Sequence, residues 1–165
     1  MSIFNSFKFE RNKGFTLIEL VVVLGIFFTV FTIVTISLVN VTRTTSVNSV
    51  SDTLTTDMGL QQTKAMQGDG GAGSNYGIYF EQDKYILFKG NSYSPSDPAN
   101  FSVNLDSGII FSNVAFPNST IIYASRSGEI IGFTDGSSII EINDSQGSKT
   151  ESMTINRYGI ITENN

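Results

Sequence analysis

The 165-residue chain has no cysteine, no histidine and no tryptophan, and its three prolines all lie at or beyond Pro95. Without cysteine there is no disulfide framework, no thiolate nucleophile and no zinc-finger pattern. Without histidine the usual general base near neutral pH and the commonest metal ligand are missing, and a Ser-His-Asp or Cys-His arrangement cannot be built. Serines are abundant but have no base partner, and no pair of carboxylates is spaced to share one helix face. These absences point away from an enzyme and away from a resident metal or cofactor. Charge is also sparse: ten basic against fifteen acidic residues, a net of −5.

What is present is very unevenly distributed. Residues 15–39 read FTLIELVVVLGIFFTVFTIVTISLV, with 18 of 25 positions apolar and Glu19 the only charge between Lys13 and Arg43. About 20 residues at 1.5 Å each cover the hydrocarbon core of a bilayer. A soluble core helix would show polar positions every turn, whereas this one is apolar all round. A transmembrane helix is therefore expected over 15–39. No proline interrupts it, and Gly25 alone marks a position where a neighbouring helix could come close.

Residues 1–14, MSIFNSFKFERNKG, carry Lys8, Arg11 and Lys13 against Glu10. This net +2 predicts a cytoplasmic N-terminus by the positive-inside bias. A secretory signal peptide would place a small-x-small cleavage site after a shorter apolar run. Here the small residue, Gly14, stands before the apolar run instead.

A carboxylate inside a membrane helix costs roughly 2.5–3.5 kcal/mol on insertion scales, so Glu19 calls for a partner. A Glu19 that merely snorkels to the interface would leave the surrounding pattern without a reason. The run Lys13-Gly14-Phe15-Thr16-Leu17-Ile18-Glu19-Leu20 resembles the class III signal of type IV pilin-like proteins. That resemblance covers about the first 40 residues. It implies cleavage between Gly14 and Phe15 by a prepilin peptidase, N-methylation of Phe15, and assembly of the mature chain into a filament in which one subunit's Glu19 pairs with the terminal amine of the next. The implied partners are other pilin or pseudopilin subunits, the peptidase, an inner-membrane assembly platform and, before assembly, membrane lipid. The implied location is the bacterial inner membrane, crossed once with the head outside, and then a pilus or pseudopilus.

Beyond Val39 the pattern becomes amphipathic. Val47, Val50, Leu54, Met58 and Ala65 recur at helical spacing, with Asp52, Asp57, Gln61, Gln62 and Lys64 among the polar positions, which predicts a helix to about Met66. A helix over 15–66 would measure about 75–80 Å. Serine and threonine are weak helix formers, so packing on a head must support this second half. Residues 67–75, QGDGGAGSN, end it.

From Tyr76 onward, short strand-like runs alternate with turn signals: 76–81, 84–90, 101–105, 108–113, 120–125, 128–134, 138–143, 152–157 and 158–162. Regular spacing without helical periodicity predicts an antiparallel assembly. The Ile-Ile doublets suggest strands apolar on both faces, one face on the helix and the other on a second sheet. The fold class expected is α+β, a long N-terminal helix with a transmembrane first half packed on an antiparallel β-sheet head. The expected division is a leader 1–14, a membrane and filament-core helix 15–39, an amphipathic helix 40–66 and a β-rich head 67–165.

The head, with its closing Thr154-Ile155-Asn156-Arg157-Tyr158-Gly159-Ile160 run, is similar to H-type minor pseudopilins of type II secretion and to minor pilins of type IV pili. A minor subunit is thus implied, with a major pilin or a filament-tip module for DNA or a surface ligand as alternatives. The head has five basic and eleven acidic residues, a net of −6. Binding to DNA needs several phosphate contacts from Lys or Arg, so DNA is disfavoured unless Lys84, Lys89 and Arg126 cluster. Asp106, Asp135 and Asp144 fall in loops and are weak candidates for calcium.

Overall fold

The computed structural model describes residues 14–68, 73–136, 138–147 and 149–164. The basic leader residues Lys8, Arg11 and Lys13 lie outside the described residues. One 51-residue helix, α1 (Leu17–Gln67), is followed by strands β1 (Tyr76–Phe80), β2 (Lys84–Lys89), β3 (Phe101–Asn104), β4 (Ile109–Val114), β5 (Thr120–Tyr123), β6 (Ile139–Asp144), β7 (Thr150–Ile155) and β8 (Ile161–Asn164). This is the α+β class expected, a long N-terminal helix with an antiparallel β head. The chain divides into two compact units, Met1–Val39 and Asn40–Asn165.

In the first unit, Leu17–Thr35 is long and apolar enough to cross a membrane, and none of it is buried within the chain. Its threonines do not leave a donor bare. Thr29, Thr32 and Thr35 each donate their hydroxyl at 2.8 Å to a carbonyl one turn back, on Ile26, Phe28 and Phe31 respectively. That internal satisfaction is what a hydroxyl needs where water is absent. A Cβ on Gly25 would meet nothing within 4 Å beyond its chain neighbours and the backbone of its own helix.

In the second unit the strands form two antiparallel four-stranded sheets, in the orders β3-β2-β1-β5 and β4-β6-β7-β8. The helix contributes Val47, Val50, Leu54, Met58 and Ala65 to a core shared with both sheets, including Ile78, Tyr85 and Ile121 of the first and Ile140, Ile142, Met153 and Ile155 of the second. The apolar stripe read from the sequence is therefore the buried face. Two polar residues belong to it as well. Ser51 donates to the Met153 sulfur at 3.4 Å. Gln61, placed by its polarity among the outward positions, is only 2% exposed and donates its Nε2 to the Gly77 carbonyl at 2.9 Å. Tyr85 OH donates to Asp57 Oδ2 at 2.6 Å, so helix and first sheet are joined by polar contacts as well as by packing.

Two expectations are corrected. The outer face of the first sheet does not meet the second sheet. Tyr93 of the loop after β2 stacks on Tyr79 and sets its edge against Phe88, while Phe80 of the first sheet and Phe111 of the second meet within the common core. Residues 128–134 are not a strand: only a single bridge, Tyr123 to Ile130, forms there. Gly128 and Gly132 take φ of +70°, a left-handed conformation incompatible with a strand. A Cβ on Gly128 would lie 2.7 Å from the Met66 Cγ, so this segment turns tightly over the end of the helix.

That helix end is fastened by loops distant in sequence. Gly68, at φ +68°, donates its N–H to the Ala65 carbonyl, a left-handed helix stop. Arg126 N–H donates to the same carbonyl at 3.0 Å. Gln62 Nε2 donates to the carbonyls of Gly128 and Tyr158. The closing Asn156–Ile160 run is a turn between β7 and β8, in which Asn156 Oδ1 accepts the N–H groups of Tyr158 and Ile160. The last two predicted strands are accordingly displaced, with the residues between them used as this clasp.

Candidate functional site: the helix start

The site singled out by sequence is Gly14-Phe15-Thr16 with Glu19. Gly14, Phe15 and Thr16 have non-helical backbone, and the helix begins at Leu17, two residues later than expected. Phe15 is 87% exposed. Thr16 is the N-cap residue: its carbonyl accepts the Leu20 N–H at 3.2 Å, while its Oγ1 accepts the Glu19 N–H at 3.3 Å. Glu19 reciprocates, its Oε2 accepting both the Thr16 N–H and the Thr16 hydroxyl at 3.2 Å. This is a capping box, two backbone donors of the first turn satisfied by each other's side chains.

The arrangement explains how a carboxylate can sit at the head of an apolar helix. It lies at the positive end of the helix dipole, where a negative charge is stabilised by about 0.3–1 kcal/mol, and it holds two hydrogen bonds within its own turn. The signal was present in the sequence: Thr16-Leu-Ile-Glu19 has the T-x-x-E spacing of a capping box ahead of an apolar run, which a search for charge partners alone overlooks.

The other candidates are not assembled by the fold. Lys84 and Lys89 are at opposite ends of β2. Lys84 is held at 3.2 Å by Glu81, whose hydrogen bond raises its pKa above the ordinary lysine value. Arg157 pairs with Glu129 at 3.2 Å. Asp144 Oδ1 accepts the Gln146 N–H in its own turn, and Asp135 borders a separate groove with Asn156 and Arg157. Among the described residues no three acidic side chains gather as a metal site.

With this geometry in place, comparison with known proteins gives one finding. Residues 10–35 match the family model of the prokaryotic N-terminal methylation motif, a stretch that contains Gly14, Phe15, the capping box and most of the apolar helix. No curated protein and no solved structure matches the chain. The motif supports a pilin-like subunit, processed by a prepilin peptidase and assembled with other such subunits through an apolar N-terminal helix suited to membrane anchoring.

Proposed function

We propose that this chain is a minor subunit of a type IV pilus or a type II secretion pseudopilus, a structural component without catalysis of its own. The observation that carries this reading is the coincidence, at one point in the chain, of the methylation motif, the capped Glu19 and an apolar helix segment none of whose residues is buried. The leader, through Lys8, Arg11 and Lys13, holds the N-terminus in the cytoplasm, and the single apolar span places the head outside. The peptidase cuts between Gly14 and Phe15, a bond that lies in exposed, non-helical backbone, as a bond entering a protease cleft must. Phe15 then carries the new amine and its methyl group.

In the assembled filament the exposed apolar side chains, including Leu24, Phe27, Phe28 and Phe31, pack against neighbouring helices. The Glu19 carboxylate accepts the Phe15 amine of an adjacent subunit. Removing either charge from that pair would leave the other unpaired in an apolar setting, at a cost of several kcal/mol. The capping box gives Glu19 interim partners before assembly, so the subunit can wait in the bilayer with its carboxylate satisfied.

The test is a Glu19→Val chain expressed beside the wild type with the cognate machinery. The expected outcome is membrane insertion at wild-type level and loss of incorporation into sheared filaments, read by immunoblot of the filament fraction. Normal incorporation would refute the role given to Glu19.

A further inference from the structure

The outer face of the first sheet carries a groove of about 380 Å³ that the filament reading does not use. One wall is aromatic. Tyr79 of β1 and Tyr93 stack with ring centroids 4.2 Å apart and planes within 9°, and the Phe88 ring packs against Tyr93 at 5.8 Å and a steep angle. Ile122, Ile130 and Ile131 continue the apolar surface, and Ile131 is half exposed in spite of its size.

The rim is polar in a restricted way. Asn91, Ser92, Asn118 and Thr120 face the groove, and no residue lining it is charged. Asn91 Oδ1 accepts the Asn75 side-chain amide, which fixes the orientation of the Asn91 amide and leaves its Nδ2 as a donor. Thr120 donates its hydroxyl to the Asn118 carbonyl at 2.8 Å, which leaves its oxygen as an acceptor. Asn118 is exposed, and the backbone there is unusual: Asn118 and Ser119 sit consecutively at φ +53° and +50°. Two adjacent non-glycine residues in the left-handed region are a strain that persists where surrounding structure enforces it, and such strain concentrates at binding sites. Here Pro117 and the Ser119 N–H to Phe116 carbonyl bond enforce it.

The lining selects a ligand class. A cation would find no carboxylate, and an anion would find no Lys or Arg and a head of net charge −6. A ligand with one apolar face and a hydroxyl-bearing edge matches an aromatic and aliphatic wall with amides and hydroxyls along its rim. We propose that this groove binds a neutral carbohydrate, with a sugar C–H face on the open side of the Tyr79–Tyr93 stack and hydroxyls on Asn91, Asn118 and Thr120. The proposal is independent of processing at Gly14, so its failure would leave the filament reading intact.

The experiment uses the full chain in a phosphocholine detergent, since glycoside detergents would compete. Lactose, cellobiose and chitobiose are the probes, followed by saturation-transfer NMR and by tyrosine fluorescence, which no tryptophan obscures. Saturable binding of at least one disaccharide in the millimolar range or tighter is expected, weakened at least tenfold by Tyr93→Ala and by Asn118→Gly. The glycine keeps the left-handed turn without strain and removes only the amide, so its loss of binding cannot be laid to misfolding. Absence of saturation transfer to all three sugars, or binding unchanged in Asn118→Gly and Tyr93→Ala, would overturn the proposal.

Discussion

The two halves of α1 belong to one helix, the first apolar all round and the second amphipathic, and their apolar side chains are satisfied in opposite ways. In Leu17–Thr35 the large apolar side chains are exposed, and the described side-chain hydrogen bonds reach no further than one turn. In the half beyond Asn40, Leu54 and Ala65 are fully buried, and Gln61 and Gln62 reach carbonyls 16 to 96 residues away. A helix stripe is stable when something covers it. The head covers the second half, and none of the described residues buries the first, which in the reading proposed above is covered by lipid before assembly and by neighbouring helices after it.

The largest expected break in this comparison is a matched pair of truncations. Leu54→Ala should lower the stability of the head by about 2–5 kcal/mol through the cavity it leaves. Leu24→Ala should change head stability by less than about 0.5 kcal/mol, because it touches no core. Thermal melts followed by tyrosine near-UV circular dichroism in micelles would separate them. Equal losses would contradict the division.

Next comes Gly77→Ala, expected to cost about 1–3 kcal/mol by the same melts. A Cβ there would lie 2.5 Å from the Phe88 ring and 2.6 Å from the Ile121 carbonyl, and the second of these is backbone that cannot swing away. The head should also show an alkaline limit. Burial, the main cause, pushes the Tyr85 and Tyr123 phenols up from 10.0, aided at Tyr85 by its bond to Asp57. A phenol whose pKa is raised on folding contributes stability that is intact below the unfolded value of about 10 and is lost as pH rises beyond it. The melting temperature should therefore fall on the alkaline side of that value, and less steeply in Tyr123→Phe. At lower pH Tyr123→Phe should be neutral or slightly stabilising, since the Tyr123 hydroxyl is buried without a hydrogen-bond partner. The smallest effect belongs to the first half. Thr16→Val should weaken the helix start locally by about 1 kcal/mol, visible as faster hydrogen exchange at residues 17–20 with the head melt unchanged.

The sequence was most legible where one strong pattern governed. The apolar run, the stripe from Val47 to Ala65 and most strands follow directly from periodicity and turn residues. It was least legible where polar residues serve the interior. Gln61 looks like a surface residue in any pattern of polarity, and only the proximity of the Gly77 carbonyl makes it a core residue. Residues 128–134 have strand composition, yet Gly128 is required by close passage over Met66, a contact formed across more than sixty positions, and Gly132 by its left-handed backbone. The helix start was half legible: Glu19 stood out as a charge, while its spacing from Thr16 also encoded the cap.

The most direct test of the filament-subunit reading is intact-mass and N-terminal fragment analysis of the protein purified from membranes that contain the cognate peptidase. The account predicts a chain beginning at Phe15, shortened by the 14-residue leader and carrying one added methyl group on the terminal amine. A chain that still begins at Met1, or one cut elsewhere, would contradict it.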